Sequence, residues 1–219
     1  MFISHKYKVI FIHLQRTGGN SIHKEFQELD QNLILNIEFD LSLKRTRHCF
    51  ASDIKAIIDN NIFNNYTKFC VVRNPFDRMV SWYSMLKQGF GNDRVVMPYK
   101  AVKTVGDEVI IEVNKNTNSF EDFIMLPRNH KSGLFERFYV NQLDYISENN
   151  NILVDRILRF ENLSCDFNNL AKEIGFAGKL PHVNKSKHRE DYRNYYTKNA
   201  KEAILQRFKQ DFEYFGYSF

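Results

Sequence analysis

The chain has 219 residues, 43% hydrophobic and 15% aromatic, with 20 Phe and 11 Tyr. That composition excludes a disordered polypeptide and suits one well-cored domain. The formal charge of +5 suits an anionic ligand, but with no run of five or six basic residues it does not mark a nucleic-acid binder.

Val9 to His13 is a β-branched and aromatic run that predicts a buried strand, followed by the polar turn "QRTGGNS". A helix is expected from about Asn20 to Leu29, with Ile22 and Phe26 at helical spacing. "SDIKAIID", Ser52 to Asp59, predicts a short amphipathic helix. "KFCVVR", Lys68 to Arg73, predicts a second buried strand. Asn74 then caps a helix with Pro75 at its first position and Met79, Val80, Tyr83 and Leu86 on one side. Arg78 reads as a surface residue of that helix, and Trp82 and Tyr83 as core.

Residues 88–118 show little helical periodicity; "VVMPYKAV" and "DEVIIEV" suggest a strand pair in an inserted lid or acceptor-binding segment. Ser119 to Asp122 forms a capping box for the next helix. "DRILRF", Asp155 to Phe160, predicts a third strand, followed by a helix that ends at Gly175. Thr197 caps a last helix whose apolar face is Ala200, Ile204, Phe208 and Phe212.

Strands alternating with helices predict a single α/β domain over 1–219, with a central parallel sheet flanked by helices. Ligands of such sheets bind beyond the carboxyl ends of the strands, which brings together the loops after His13, Arg73 and Phe160. In the first loop, Gly18 and Gly19 let successive N–H groups converge at a helix N-terminus, a nest for phosphate. Thr17, Asn20 and Ser21 add side-chain donors and Arg16 adds a positive fork. In "VVRNPFDRMVSWY", Arg73 ends a strand and Ser81 follows eight residues later, so both can face one phosphate. No Walker G-x-x-x-x-G-K-[ST] can be read through the first loop.

Cys49, Cys70 and Cys165 stand far apart with no C-x-x-C, which argues against a disulfide framework or a cysteine zinc site; no other metal motif is present. The N-terminus lacks a signal peptide's long apolar core, and no window has the length of a membrane span. A soluble chain in a reducing compartment, without membrane insertion, is expected.

The pair "FIHLQRTGGNS" and "VVRNPFDRMVSWY" resembles the sulfotransferases that use 3′-phosphoadenosine-5′-phosphosulfate, and among them the carbohydrate type. "HCFASDIKAII", "FEDFI", "YVNQLDYI", "ILRFENLSCDF", "LPHVNKSKHREDYRNYYT" and "DFEYFGY" extend the resemblance over most of the chain outside residues 88–118. It implies a P-loop-like fold and transfer of a sulfuryl group to a hydroxyl of a carbohydrate, leaving adenosine 3′,5′-bisphosphate. It further implies that Arg16 to Ser21 grip the 5′-phosphosulfate, that Arg73 and Ser81 grip the 3′-phosphate, and that Ser186 and Arg189 add phosphate contacts. Where the family loop reads Pro-Lys, this chain has Gln15-Arg16, and arginine replaces a compact ammonium with a planar fork.

The acceptor hydroxyl needs a general base. His48 is the candidate, in "RHCFASDIK" where the family often carries a histidine; His13 is the alternative and His182 a third. A family member without a membrane anchor implies a bacterial, cytoplasmic enzyme. The competing readings are a small-molecule kinase with a degenerate loop and a nucleotide-binding relative without turnover.

Overall fold

The computed structural model describes residues 1–35, 48–88, 105–129, 135–180 and 190–219. Six strands occur among them: β1 (Phe2–Ser4), β2 (Val9–Ile12), β3 (Thr67–Val72), β4 (Ser147–Glu148), β5 (Asn151–Ile152) and β6 (Arg156–Arg159). The helices are α1 (Gly19–Leu29), α2 (Ala51–Ile57), α3 (Asn60–Asn65), α4 (Pro75–Gln88), α5 (Val105–Asn116), α6 (Phe120–Ile124), α7 (Gln142–Ile146), α8 (Leu163–Glu173), α9 (Lys198–Arg207) and α10 (Lys209–Phe215). The chain forms two compact units, one of Met1–Arg73 with Gln142–Lys187 and one of Asn74–Asn141 with His188–Phe219.

The first unit is built on a four-stranded sheet in the order β1-β2-β3-β6. β2, β3 and β6 run parallel, and β1 pairs antiparallel with β2. The register sets Phe2 beside Phe11, Phe11 beside Phe69 and Val71 beside Leu158. Because side chains alternate across a sheet, these residues share one face. Ile22 and Phe26 of α1 and Phe167, Leu170 and Ala171 of α8 cover that face. Phe26 lies 4.6 Å from Phe2 and stacks on Phe176 at 4.1 Å. Ile10, Ile12, Cys70 and Val72 on the opposite face are also buried. Burial on both faces is why β2 and β3 read as continuous apolar runs.

Two strand ends depend on local chemistry. Lys68, buried on β3, donates to the carbonyls of Phe63 and Tyr66 and pairs with Asp155 at 2.9 Å. β4 and β5 form a hairpin whose two-residue turn, Asn149-Asn150, has φ of 50° and 64°. Such a turn requires left-handed backbone at both positions, which asparagine tolerates.

The second unit is helical around an aromatic core. Phe76, Met79, Val80, Trp82 and Leu86 of α4 meet Val109 and Val113 of α5, Phe120 and Phe123 of α6, and Ala200 and Ile204 of α9. Asn74 caps α4 by accepting from the Phe76 N–H at 3.0 Å. Ser119 and Asp122 form the expected capping box on α6, and Thr197 caps α9.

Three expectations need correction. "DEVIIEV" is not a strand but part of α5, because Val109 and Val113, four residues apart, face the core together. Arg78 is 1% exposed rather than on the surface; its guanidinium donates to the Val140 carbonyl at 3.3 Å, which offsets part of the burial cost. The final helix is two helices, α9 and α10, divided at Phe208. "VVMPYKAV" lies outside the described residues.

Candidate active site

The loop from His13 to Gly18 joins β2 to α1 at the carboxyl end of the sheet. Its backbone is left-handed at Arg16 (φ 67°) and at Gly18 (φ 88°). Glycine adopts that conformation freely, whereas a non-glycine residue there costs about 1–2 kcal/mol. A strained arginine must therefore be held by its surroundings. Between the two, Thr17 is fully buried and its hydroxyl donates to the Leu14 carbonyl at 3.0 Å. Asn20 is exposed and Ser21 half-buried in the first turn of α1. That helix start has no side-chain cap and no acidic residue in its first turn. The positive end of its dipole thus offers a site for a negative charge.

Arg73, just past the end of β3, is 4% exposed, and its main chain is clamped. Its N–H donates to Gln142 Oε1 at 2.9 Å, while Gln142 Nε2 donates to its carbonyl at 2.8 Å. Its Nη1 donates to the Arg16 carbonyl at 3.1 Å, and its guanidinium lies 3.9 Å over the Phe160 ring. Phe160 also closes on the loop, since a β-carbon at Gly18 would lie 2.9 Å from its ring. The three strand-end loops of the sheet are thus joined through one arginine. Sequence reasoning missed Gln142 and Phe160 as parts of this assembly. Gln142 stands in the quoted stretch "YVNQLDYI", but nothing in the pattern marks a glutamine as a main-chain clamp.

His48 precedes α2, half-buried, with its Nδ1 2.9 Å from the His13 carbonyl oxygen. A carbonyl only accepts, so Nδ1 carries the proton and Nε2 of the neutral ring keeps its lone pair. The segment is held from both sides: Asp53 accepts from the Phe50 N–H at 2.8 Å, and Phe50 packs on Tyr145 at 4.9 Å. The neighbouring Cys49 is buried and its thiol pushed up to about 11, which makes it a packing residue rather than a nucleophile. His13 is 3% exposed, with its ring 4.6 Å from that of His48.

Among the remaining predicted residues, Ser81 is buried on α4 in the second unit. Ser186, Arg189 and His182 lie outside the described residues. Among the described residues there is no group of three or more His, Cys, Asp or Glu placed to hold a metal ion. No helix among them is long and apolar enough to cross a membrane.

The sulfotransferase family model matches residues 1–218. The chain belongs to the sulfotransferase family and is on that ground an enzyme of sulfuryl transfer. Among solved structures, mouse sulfotransferase SULT7A1 complexed with PAP is similar in fold, with a TM-score of 0.50 and 13% identity. The match covers 96% of this chain and 86% of the mouse protein. No curated protein sequence matches the chain.

Proposed function

We propose that the whole chain works as one sulfotransferase domain that moves a sulfuryl group from 3′-phosphoadenosine-5′-phosphosulfate to a carbohydrate hydroxyl. The observation that carries this reading is the contact of Arg73 with the Arg16 carbonyl, at the uncapped start of α1. It brings the Arg73 guanidinium onto the main chain of the loop that leads into a helix N-terminus, a setting for an anion rather than for a neutral ligand. The PAP bound to the mouse protein supports the choice of donor. The resemblance in "VVRNPFDRMVSWY" supports Arg73 and Ser81 as holders of the 3′-phosphate, and that in "NKSKHR" supports added contacts from Ser186 and Arg189.

In the proposed step the acceptor oxygen forms a bond to sulfur as the bond from sulfur to the bridging phosphate oxygen breaks. The leaving bisphosphate takes the electron pair, and Nε2 of His48 takes the acceptor proton. Positioning and charge stabilisation then supply most of the catalysis, as in phosphoryl transfer. Arg16 stays protonated throughout, so its part is to neutralise charge on the departing phosphate rather than to donate a proton. The loop N–H groups and the hydroxyl and amide of Ser21 and Asn20 complete that cradle, with Thr17, Gly18 and Gly19 shaping it.

Titration with adenosine 3′,5′-bisphosphate and, separately, with ATP and magnesium tests the donor assignment. The bisphosphate binds tightly if the reading holds. Tight ATP binding with no response to the bisphosphate overturns it in favour of a kinase. Bisphosphate binding without turnover on a broad glycan panel identifies a relative that binds without transferring.

A further inference from the structure

His13 ends the first parallel strand, and everything around its ring is packed. Phe11 stacks on it at 5.3 Å with 24° between the planes, and His23 of α1 lies 4.8 Å away. On the loop side the ring rests on Gly19: a β-carbon there would lie against Cδ2 and 2.5 Å from Nε2. Gly19 has no left-handed φ to explain it, so here glycine serves close approach, with the imidazole occupying the place of a side chain. The main-chain carbonyl of His13 itself accepts the hydrogen bond that sets the His48 tautomer.

We infer that His13 is a positioning residue with two outputs. Its ring is the plate against which the start of α1, and with it the phosphosulfate loop, is set. Its carbonyl aims Nε2 of His48. Loop and base are thereby referenced to one point at the end of β2, so the distance between donor and base does not depend on loop conformation alone. A base must also meet the acceptor oxygen, and a ring covered by Phe11, Gly19, His23 and His48 is closed to it. This inference rests on the proposed function, because it takes His48 as the base.

The test uses Gly19→Ala, His13→Ala, the double variant and His13→Leu, which fills nearly the same volume with no proton to move. Gly19→Ala weakens bisphosphate binding at least tenfold, because the methyl and the imidazole compete for one space. Adding His13→Ala removes the nearer competitor and gives the Phe11 ring, whose Cζ would lie 2.9 Å from the methyl, room to turn into the vacated space. Binding then returns to within about threefold of His13→Ala alone. His13→Leu keeps bisphosphate affinity within about threefold and turnover within about tenfold, since the carbonyl that holds His48 is untouched. Strictly additive effects of Gly19→Ala and His13→Ala overturn the inference. So does a His13→Leu variant with unchanged bisphosphate affinity and turnover reduced more than a hundredfold, which makes His13 the base. The same Gly19–His13 coupling is read from urea unfolding. A wild type that binds no bisphosphate therefore refutes the donor assignment, while the plate is still judged by stability.

Discussion

Replacing Gln142 with methionine keeps the length of the side chain and removes both of its hydrogen bonds to Arg73. Gln142 is fully buried and Arg73 is 4% exposed, so water does not replace those bonds. Each main-chain group left unsatisfied costs about 1–3 kcal/mol, so the pair costs about 2–6 kcal/mol. Against the ~5–15 kcal/mol that holds a typical domain folded, that is a large fraction. With a slope of about 2 kcal/mol per molar, the urea midpoint falls by roughly 1–3 M. Gln142→Glu retains an acceptor for the Arg73 N–H but loses the donor. At a pH where its carboxyl is ionised it also places charge beside a carbonyl, so it is at least as costly as losing one bond. Bisphosphate affinity falls in both variants, because the Arg73 side chain is aimed from the clamped main chain. A methionine variant within 1 kcal/mol of wild type by urea unfolding would refute the reasoning.

Gly18→Ala and Gly175→Ala both place alanine at positive φ, but only Gly18 has the Phe160 ring within 2.9 Å of the new methyl. Gly175→Ala should cost only the backbone term of about 1–2 kcal/mol, and Gly18→Ala measurably more in the same urea titration. Maleimide should label Cys165 in the native protein and all three thiols only after unfolding, because Cys49 and Cys70 are buried and burial pushes both thiols up. The N–H groups of Asn118 and Ser119 hold the Asp122 carboxyl below its ordinary value. Its contribution to stability is present above the unfolded aspartate pKa and lost as pH falls through the lower folded one. The stability difference between wild type and Asp122→Ala should shrink over that acid window.

The candidate site was legible in the sequence where its parts are written as local chemistry. The glycines after an apolar run, the arginine ending the next strand, and the histidine before α2 each stand at a strand or helix end. Structure brings Arg16, Gly18 and Arg73 together because those ends belong to neighbouring parallel strands. What escaped depends on partners remote in sequence. β1, three residues long, is too short to show alternation, yet it pairs with β2 and buries Phe2. The Val-Ile-Ile-Val content of α5 carries a β-branched preference that packing overrides: Val109 and Val113 are buried while Ile111 is 52% exposed. Arg78 was read from its charge, but a main-chain acceptor at Val140 lets it stay inside. Gln142 lies 69 residues from the arginine it clamps, and no spacing rule links them.

Acceptor-dependent formation of adenosine 3′,5′-bisphosphate from the phosphosulfate donor, followed over a glycan panel, tests the central claim most directly. The account predicts bisphosphate release only when a suitable glycan is present. Arg16→Lys should stay active, and His48→Ala should be slower by about a hundredfold or more, the usual weight of a general base. Release that is independent of any acceptor, or a His48→Ala variant as fast as wild type, would contradict it.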